Sequence, residues 1–445
     1  MQNDRDWVTR DAAVVWHGFT QMATYPDNSP VIVDHAEGRE LIDVDGRRYL
    51  DAISSLWVTT LGHRIPELDA ALRRQLDAVA HSTLLGHGNR VVVELAEALA
   101  AVVPVTAPHV LFASDGASAV EQAVKIAFQY WTNRGVKGRT RYLALGNAYH
   151  GDTVGSLSIG DGGFGTDVFD PLRFPVVRTP GYDDPGWADK AVSAVENHAG
   201  ELAAVVIEPL VQGAAGILVT DPPEVARLAE ATRDAGVLLI ADEVATGFGR
   251  TGRLFASEWS GIRPDLLCLG KGLTGGYLPM SATVASGGVY DAFLGEDLGP
   301  RTFYHGHSFA GNALAAAVAI EHLHLIDRDN VLANVTARAA QLDSLLTRSV
   351  APRPEVAAVR QRGLMVGVEL HPPGPGLRWG RRVCAAAVRR GVLLRPLGDV
   401  VVVMPPLTIT SDEIERIVST LADSLAEVGA ETASAGNDGG PGTTR

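Results

Sequence analysis

The 445 residues contain four lysines, Lys125, Lys137, Lys190 and Lys271, and only the last has surroundings suited to chemistry. Lys125 follows Glu121 by four positions on a helical pattern, Lys137 sits in the basic turn Asn133–Arg141, and Lys190 lies on a polar stretch after Gly186. Lysines so placed are solvated or ion-paired. Lys271 instead ends the apolar run Leu266–Leu269 between Gly270 and Gly272, where backbone can close around an amine. An amine held there can have its pKa lowered and act as a nucleophile. Upstream, the apolar run Val237–Ala241 stops at Asp242-Glu243, as a buried strand does when it delivers carboxylates to its C-terminal end.

Two parallel strands ending side by side would bring Asp242 and Lys271 together over one crevice, the usual ligand position in open α/β sheets. The pair suits pyridoxal 5'-phosphate, whose aldehyde needs a lysine and whose ring nitrogen needs an acidic partner. A strand-end salt bridge uses the same two residues, so a phosphate site must decide. Ser114-Asp115-Gly116-Ala117-Ser118 stands between strand Val110–Ala113 and the helix Ser118–Thr132, whose apolar face is Val120, Ala123, Val124, Ala127 and Trp131. The first amides of such a helix bind anions, and Gly116 admits a phosphate closely. A plain N-cap by Ser114 or Asp115 is the alternative. Tyr149-His150-Gly151-Asp152 adds an aromatic that could lie on a cofactor ring or simply pack its loop.

Other signals are weaker. The pattern G-x-G-x-x-G occurs at Gly160–Gly165, Gly247–Gly252 and Gly270–Gly275, but none opens a helix directly after a strand, which disfavours a nicotinamide-dependent dehydrogenase. His305 and His307 lack a third ligand at metal spacing, so no metal is expected. Asp242 and Glu243 are neighbours on a strand and point to opposite faces, unlike a glycosidase pair.

The elements that position these residues read as an α/β fold. From helix Pro66–Ala80 onward, strands Val110–Ala113, Tyr142–Leu145, Ala203–Ile207, Val237–Ala241, Leu266–Leu269 and Ala282–Ala285 alternate with helices, predicting a mostly parallel sheet. The helix Ala310–Asp327 carries the chain out of it. Val31–Val33, Leu41–Val44 and Tyr49–Ile53 form a small meander followed by the loop Ser54–His63. Strands Leu364–Glu369, Val392–Arg395 and Val400–Met404 with their helices form an α+β satellite. We therefore expect residues 1–60 and 329–429 to build a small domain together, residues 61–328 a large domain, and residues 430–445 a disordered tail. The aromatic-rich segment Trp16–Tyr25 is too apolar for a free arm.

Hydrophobic residues at 46% and charged residues at 20% suit a globular enzyme, and a net charge of −14 argues against nucleic-acid or anionic-membrane partners. Cys268 and Cys384 lie in apolar segments, and Met1–Arg10 has no apolar core of a signal peptide, so a cytoplasmic location is expected.

Taken together, Ser114–Lys125, Tyr149–Asp152, Glu208-Pro209, Asp242–Gly252, Gly270-Lys271-Gly272 and His305–Ser308 closely resemble the class III aminotransferases of fold type I, over about Trp16–Val428. The resemblance implies that Lys271 bonds the pyridoxal phosphate aldehyde, Asp242 pairs with the ring nitrogen, Gly116 and Ala117 give amides to the phosphate, and Tyr149 and Val244 sandwich the ring. It also implies that Phe19, Trp57, Tyr149, Asp152, Gly306 and Arg395 meet the substrates, a small amine donor and a keto acceptor. Arg395 would take a carboxylate. His307 and Ser308 would reach the phosphate bound in the partner subunit, making a homodimer with shared active sites. The segments Trp16–Gln21, Ser54–Trp57, Tyr149–Thr153 and Arg395–Asp399 resemble the branch of biotin synthesis that aminates 8-amino-7-oxononanoate, with general ω-amino acid or diamine transfer as the alternative. Leu56-Trp57 replaces the two tryptophans of adenosylmethionine-using members, and with Phe19 and His307 this favours lysine or another ω-amine as donor.

Overall fold

The computed structural model describes residues 6–28, 30–162 and 165–437, with side chains to residue 434. Its centre is a seven-stranded sheet: β1 (His109–Ala113), β2 (Arg141–Leu145), β3 (Val177–Thr179), β4 (Leu202–Ile207), β5 (Leu238–Asp242), β6 (Leu266–Leu269) and β7 (Ser281–Ala285). The order is β1-β7-β6-β5-β4-β2-β3. β2, β3, β4, β5 and β6 pair in parallel, while β7 runs antiparallel to both β6 and β1. Six strands therefore end on one edge. Apolar side chains cover both faces, which is why these runs are continuous rather than alternating. Ile240 and Cys268 pack with the helix Gly116–Asn133 on one face, and Leu239 packs with the helices Trp187–His198 and Pro222–Asp234 on the other.

A second layer of structure joins the two chain ends. The meander Val33–Glu37, Glu40–Asp43, Arg48–Asp51 takes Val392–Leu393 as its fourth strand, parallel to Arg48–Asp51. A further sheet contains Val356–Arg362, Met365–Leu370, Val400–Val403 and Arg395–Leu397. The run Val392–Arg395, expected as one strand, is thus divided between two sheets at Leu394. The first meander strand lies later than Val31–Val33 because it is an exposed edge whose pairing, not apolar content, fixes its limits. Elements absent from the sequence reading include two full helices, Arg90–Val102 and Trp187–His198, as well as the half-polar β3 and the hairpin Val211-Gln212/Leu218-Val219.

The last helix corrects the expected tail. It runs Ser411–Asn437, past Gly429, because Thr432 accepts from Trp379 Nε1 (3.1 Å) and Arg382 pairs with Glu431 (2.7 Å). Residues 438–445 lie outside the described residues. Among the described residues no helix is long and apolar enough to cross a membrane.

Candidate active site

The strand ends that share one sheet edge build the site. β5 delivers Asp242, whose register partner on β6 is Cys268, so Lys271 emerges beside it after one extended glycine, Gly270. Lys271 itself takes a left-handed backbone (φ 41°) and heads the tight turn Lys271–Thr274. A side chain on Gly272 would meet Phe248 Cβ at 3.0 Å and Thr60 Cγ2 at 3.1 Å, so the turn depends on its absence. β1 ends at the turn into Gly116–Asn133, and there Asp115 is the N-cap, accepting from the Ser118 amide (2.9 Å) and hydroxyl (2.9 Å). β2 leads to Tyr149–Asp152, and β4 ends at Glu208. Trp57, Gly116, Ala117, Tyr149, His150, Asp152, Glu208, Asp242, Val244 and Lys271 together line one cleft of about 470 Å³.

Asp242 is 5% exposed, accepts from the Val244 amide (3.0 Å) and lies 2.7 Å from His150 Nδ1. His150 is the residue the sequence reading passed over. Its only signal was its place inside the Tyr149–Asp152 loop, with no spacing to link it to Asp242, 92 positions on. Glu208 accepts the Tyr149 amide (3.0 Å) and the Gly213 amide (3.1 Å). Burial, with Asp242 adding to it, pushes the Glu208 carboxyl up to about 7, against His150 and those two amides. Burial also holds the Lys271 amine below the ordinary lysine range, opposed by Asp242 and Glu208 and reinforced by Arg250. Its Nζ lies 5.1 Å from the centre of the Trp57 ring. Glu243 points the other way, accepting the Ala256 (2.6 Å) and Ser257 (2.8 Å) amides in the core.

Tyr149 donates its hydroxyl to Asp152 (3.0 Å), and burial followed by that carboxylate raises its pKa. The cleft continues past Tyr149 and Asp152 into a hollow of about 270 Å³ lined also by Phe19, Arg173, Leu397 and Gly398. Other expected residues stand apart. Arg395 is exposed on the strand that brings Leu397 to the hollow, and a side chain on Gly306 would meet Leu85 Cδ2 at 3.2 Å. His307 Nδ1 lies 3.4 Å from Ser114 Oγ of its own chain, while the Ser308 carbonyl accepts from His81. Lys125 does not pair with Glu121. It sits 3.0 Å from His305 Nδ1, and Glu121 instead accepts from Thr153 Oγ1 (2.6 Å) and the Gly155 amide (2.8 Å).

These residues fit a flat aromatic ring with an anionic arm. A side chain on Gly116 would meet Val244 Cγ1 at 2.6 Å, and one on Gly151 would meet Ala117 Cβ at 2.5 Å, so the helix start is a cradle kept clear by glycine. Gly270 closes on the same cradle, with Gly116 Cα at 3.5 Å from its missing Cβ. A cation on a ring nitrogen suits the carboxylate of Asp242, and Lys271 offers the amine an aldehyde requires.

Comparison with known proteins agrees with this geometry. The family model for class-III aminotransferases matches residues 22–425. An adenosylmethionine-8-amino-7-oxononanoate aminotransferase of Nitratidesulfovibrio vulgaris is 46% identical, covering 98% of this chain and 83% of its own. One from Geobacter sulfurreducens is 41% identical over 96% and 98%. The crystal structure of the Methanocaldococcus jannaschii enzyme of that name superposes with a TM-score of 0.92 at 37% identity, over 95% and 98%. A PMP-bound aminotransferase from Vibrio fluvialis superposes at 0.90 with 26% identity, over 97% and 100%.

Proposed function

The chain belongs to the class-III aminotransferases, and from that premise we propose that it aminates the keto carbon of 8-amino-7-oxononanoate in biotin synthesis. The observation that carries the reading is the convergence of Lys271, Asp242 and the Gly116 cradle in one cleft. When bound, pyridoxal phosphate supplies an aldehyde that takes up an amine and a ring that accepts electrons. Asp242, fixed by His150 at 2.7 Å, would keep the ring nitrogen protonated. Lys271, its pKa lowered by burial, is the group that would accept and return the proton of the substrate carbon. The amides at Gly116 and Ala117 would hold the phosphate, with Tyr149 and Val244 to flank the ring. Asp115, Asp152 and Asp242 make the cleft acidic, which favours amines over anionic donors. Trp57, Phe19 and Asp152 wall the substrate side, and Arg395, exposed two residues before Leu397 of the outer hollow, is the cation for the acceptor carboxylate.

The donor proposed is adenosylmethionine, because relatives at 46% and 41% identity bear that name. Of Phe19, Leu56 and His307, on which the preference for lysine rested, Leu56 is 48% exposed and is not among the residues lining the cleft. The active unit is a homodimer in the cytoplasm, with Gly306 and Ser308 completing the neighbour's site, while His307 lies 3.4 Å from Ser114 of its own chain.

Purified protein should be yellow, bleach on borohydride and carry the reduced label on Lys271. Single-turnover bleaching by adenosylmethionine, followed by recovery of colour with 8-amino-7-oxononanoate, is the expected result. A label on Lys125 would overturn the site, and bleaching by lysine but not adenosylmethionine would overturn the donor.

A further inference from the structure

The residues that hold Trp57 are as unusual as those around Lys271. Strand Arg48–Asp51 ends on Asp51, whose carboxylate is fully buried. Its Oδ1 accepts the amides of Ile53 (3.3 Å) and Ser55 (3.0 Å), and its Oδ2 accepts the Ser55 amide (2.8 Å) and lies 2.9 Å from His63 Nε2. The turn thus gathered is left-handed at three residues that are not glycine: Ser54 (φ 55°), Ser55 (φ 58°) and Trp57 (φ 65°). Such backbone persists only when its surroundings over-determine it. Here they do. Ser54 Oγ donates to the Met404 carbonyl (2.7 Å), and the buried Arg250 donates to the Thr59 carbonyl (2.9 Å) and the Pro405 carbonyl (2.6 Å).

Nothing comparable secures the indole itself. Trp57 Nε1 is buried without a hydrogen-bond partner among the described residues, and the ring is held by contact, with a side chain on Gly213 excluded at 3.2 Å from Cζ3. Its orientation over Lys271 is therefore inherited from the backbone of residues 51–57. We propose that Asp51 is a positioning residue, which acts through that turn to fix Trp57 as a specificity-determining wall of the substrate site. A carboxylate is required because four bonds converge on its two oxygens; an amide of the same size has one acceptor oxygen and turns an NH₂ toward either His63 or the Ser55 amide. The role as a substrate wall rests on the aminotransferase reading, whereas the clamp on the ring does not.

The test uses holoenzyme of the full chain and compares Asp51→Asn with wild type by two readouts. The first is the kinetic split: KM for 8-amino-7-oxononanoate should rise about fivefold or more while kcat stays within about threefold, as expected when binding contacts but not the reacting groups are disturbed. The second needs no substrate. The emission of Trp57, obtained by subtracting the spectrum of the matching Trp57→Phe protein, should become about twice as quenchable by acrylamide as the ring loosens from its buried place. An unchanged KM or unchanged quenching overturns the proposal. If Asp51→Asn does not fold, Ser54→Ala removes the tie to Met404 and keeps every charge; the same two shifts are expected of it, and their absence is equally decisive. Failure of the wild type to turn over 8-amino-7-oxononanoate would sink the assigned reaction, and the quenching measurement would still decide the clamp.

Discussion

At the scale of single residues, the site depends on one carboxylate facing inward and one glycine keeping a space clear. Asp242 and Glu243 are adjacent, yet only Asp242 reaches the cleft, because strand side chains alternate and Glu243 is spent on the Ala256 and Ser257 amides. Asp242→Asn keeps the volume and removes the charge, so the protein should retain its cofactor absorbance and lose most turnover. A rate within about threefold of wild type, under about 1 kcal/mol of barrier, would show the charge to be dispensable. Gly116 gives a sharper test. Its missing Cβ would lie 2.6 Å from Val244 Cγ1, and the β-branched valine cannot swing away freely. Gly116→Ala should weaken pyridoxal phosphate binding about tenfold or more, and adding Val244→Ala should recover much of the loss, a coupling expected of side chains in direct contact. Titration of apo-protein with cofactor measures both, and additive effects would place the two residues apart. Lys271, Asp242 and Gly116 were legible in the sequence because each interrupts an apolar or helical pattern. His150 was not, since nothing in its own neighbourhood marks a bond to a residue 92 positions away.

At the scale of elements, the strands that carry chemistry were legible and the turns that tune it were not. Continuous apolar runs announce β4, β5 and β6, whereas β3 has three residues and one of them is arginine. The turn after β6 rests on a contact that periodicity cannot show: His322, in the helix Ala313–Arg328, is fully buried and lies 2.6 Å from Thr60 Oγ1. Its ring touches the position of a side chain on Gly275, at the end of the Lys271 turn. Burial pushes the His322 pKa down to about 3, with the Leu273 carbonyl opposing, so the folded protein holds it neutral. An unfolded chain protonates the same imidazole near its ordinary value of about 6.5. The unfolded state therefore binds the extra proton between those values, and stability contributed by His322 is complete above about pH 6.5 and lost as pH falls toward 3. Against His322→Gln, which keeps a polar partner for Thr60 and does not titrate, the wild type should lose about 1.4 kcal/mol of relative stability per pH unit in that window. Thermal unfolding at pH 7 and pH 5 reads it, and a constant difference would mean that the imidazole is not held neutral.

At the scale of the whole molecule, several large apolar side chains around the segment His305–Ser308 are exposed in the single chain. Leu85 is 58% exposed, Tyr304 63% and Phe309 60%, and all three lie close in sequence to residues assigned to a neighbour's site or in contact with them. Exposed apolar area of this kind, rimmed by polar residues, marks an interaction surface. A second copy is the occupant that fits the segment His305–Ser308, because within one chain Gly306 rests on Leu85 and Ser308 is exposed, and neither lines the cleft. His307 is the exception, since its Nδ1 already lies 3.4 Å from Ser114 at its own phosphate turn. If sites are shared, a chain lacking Lys271 can still lend its Ser308 to a partner. Mixing Lys271→Ala protein with Ser308→Ala protein should then restore up to about one quarter of wild-type activity: random pairing makes about half the dimers hybrid, and each hybrid carries one intact site. The two parents alone set the baseline, and subunit exchange is verified by mass tags on each. Exchange without rescue would mean that Ser308 serves only the chain that carries it.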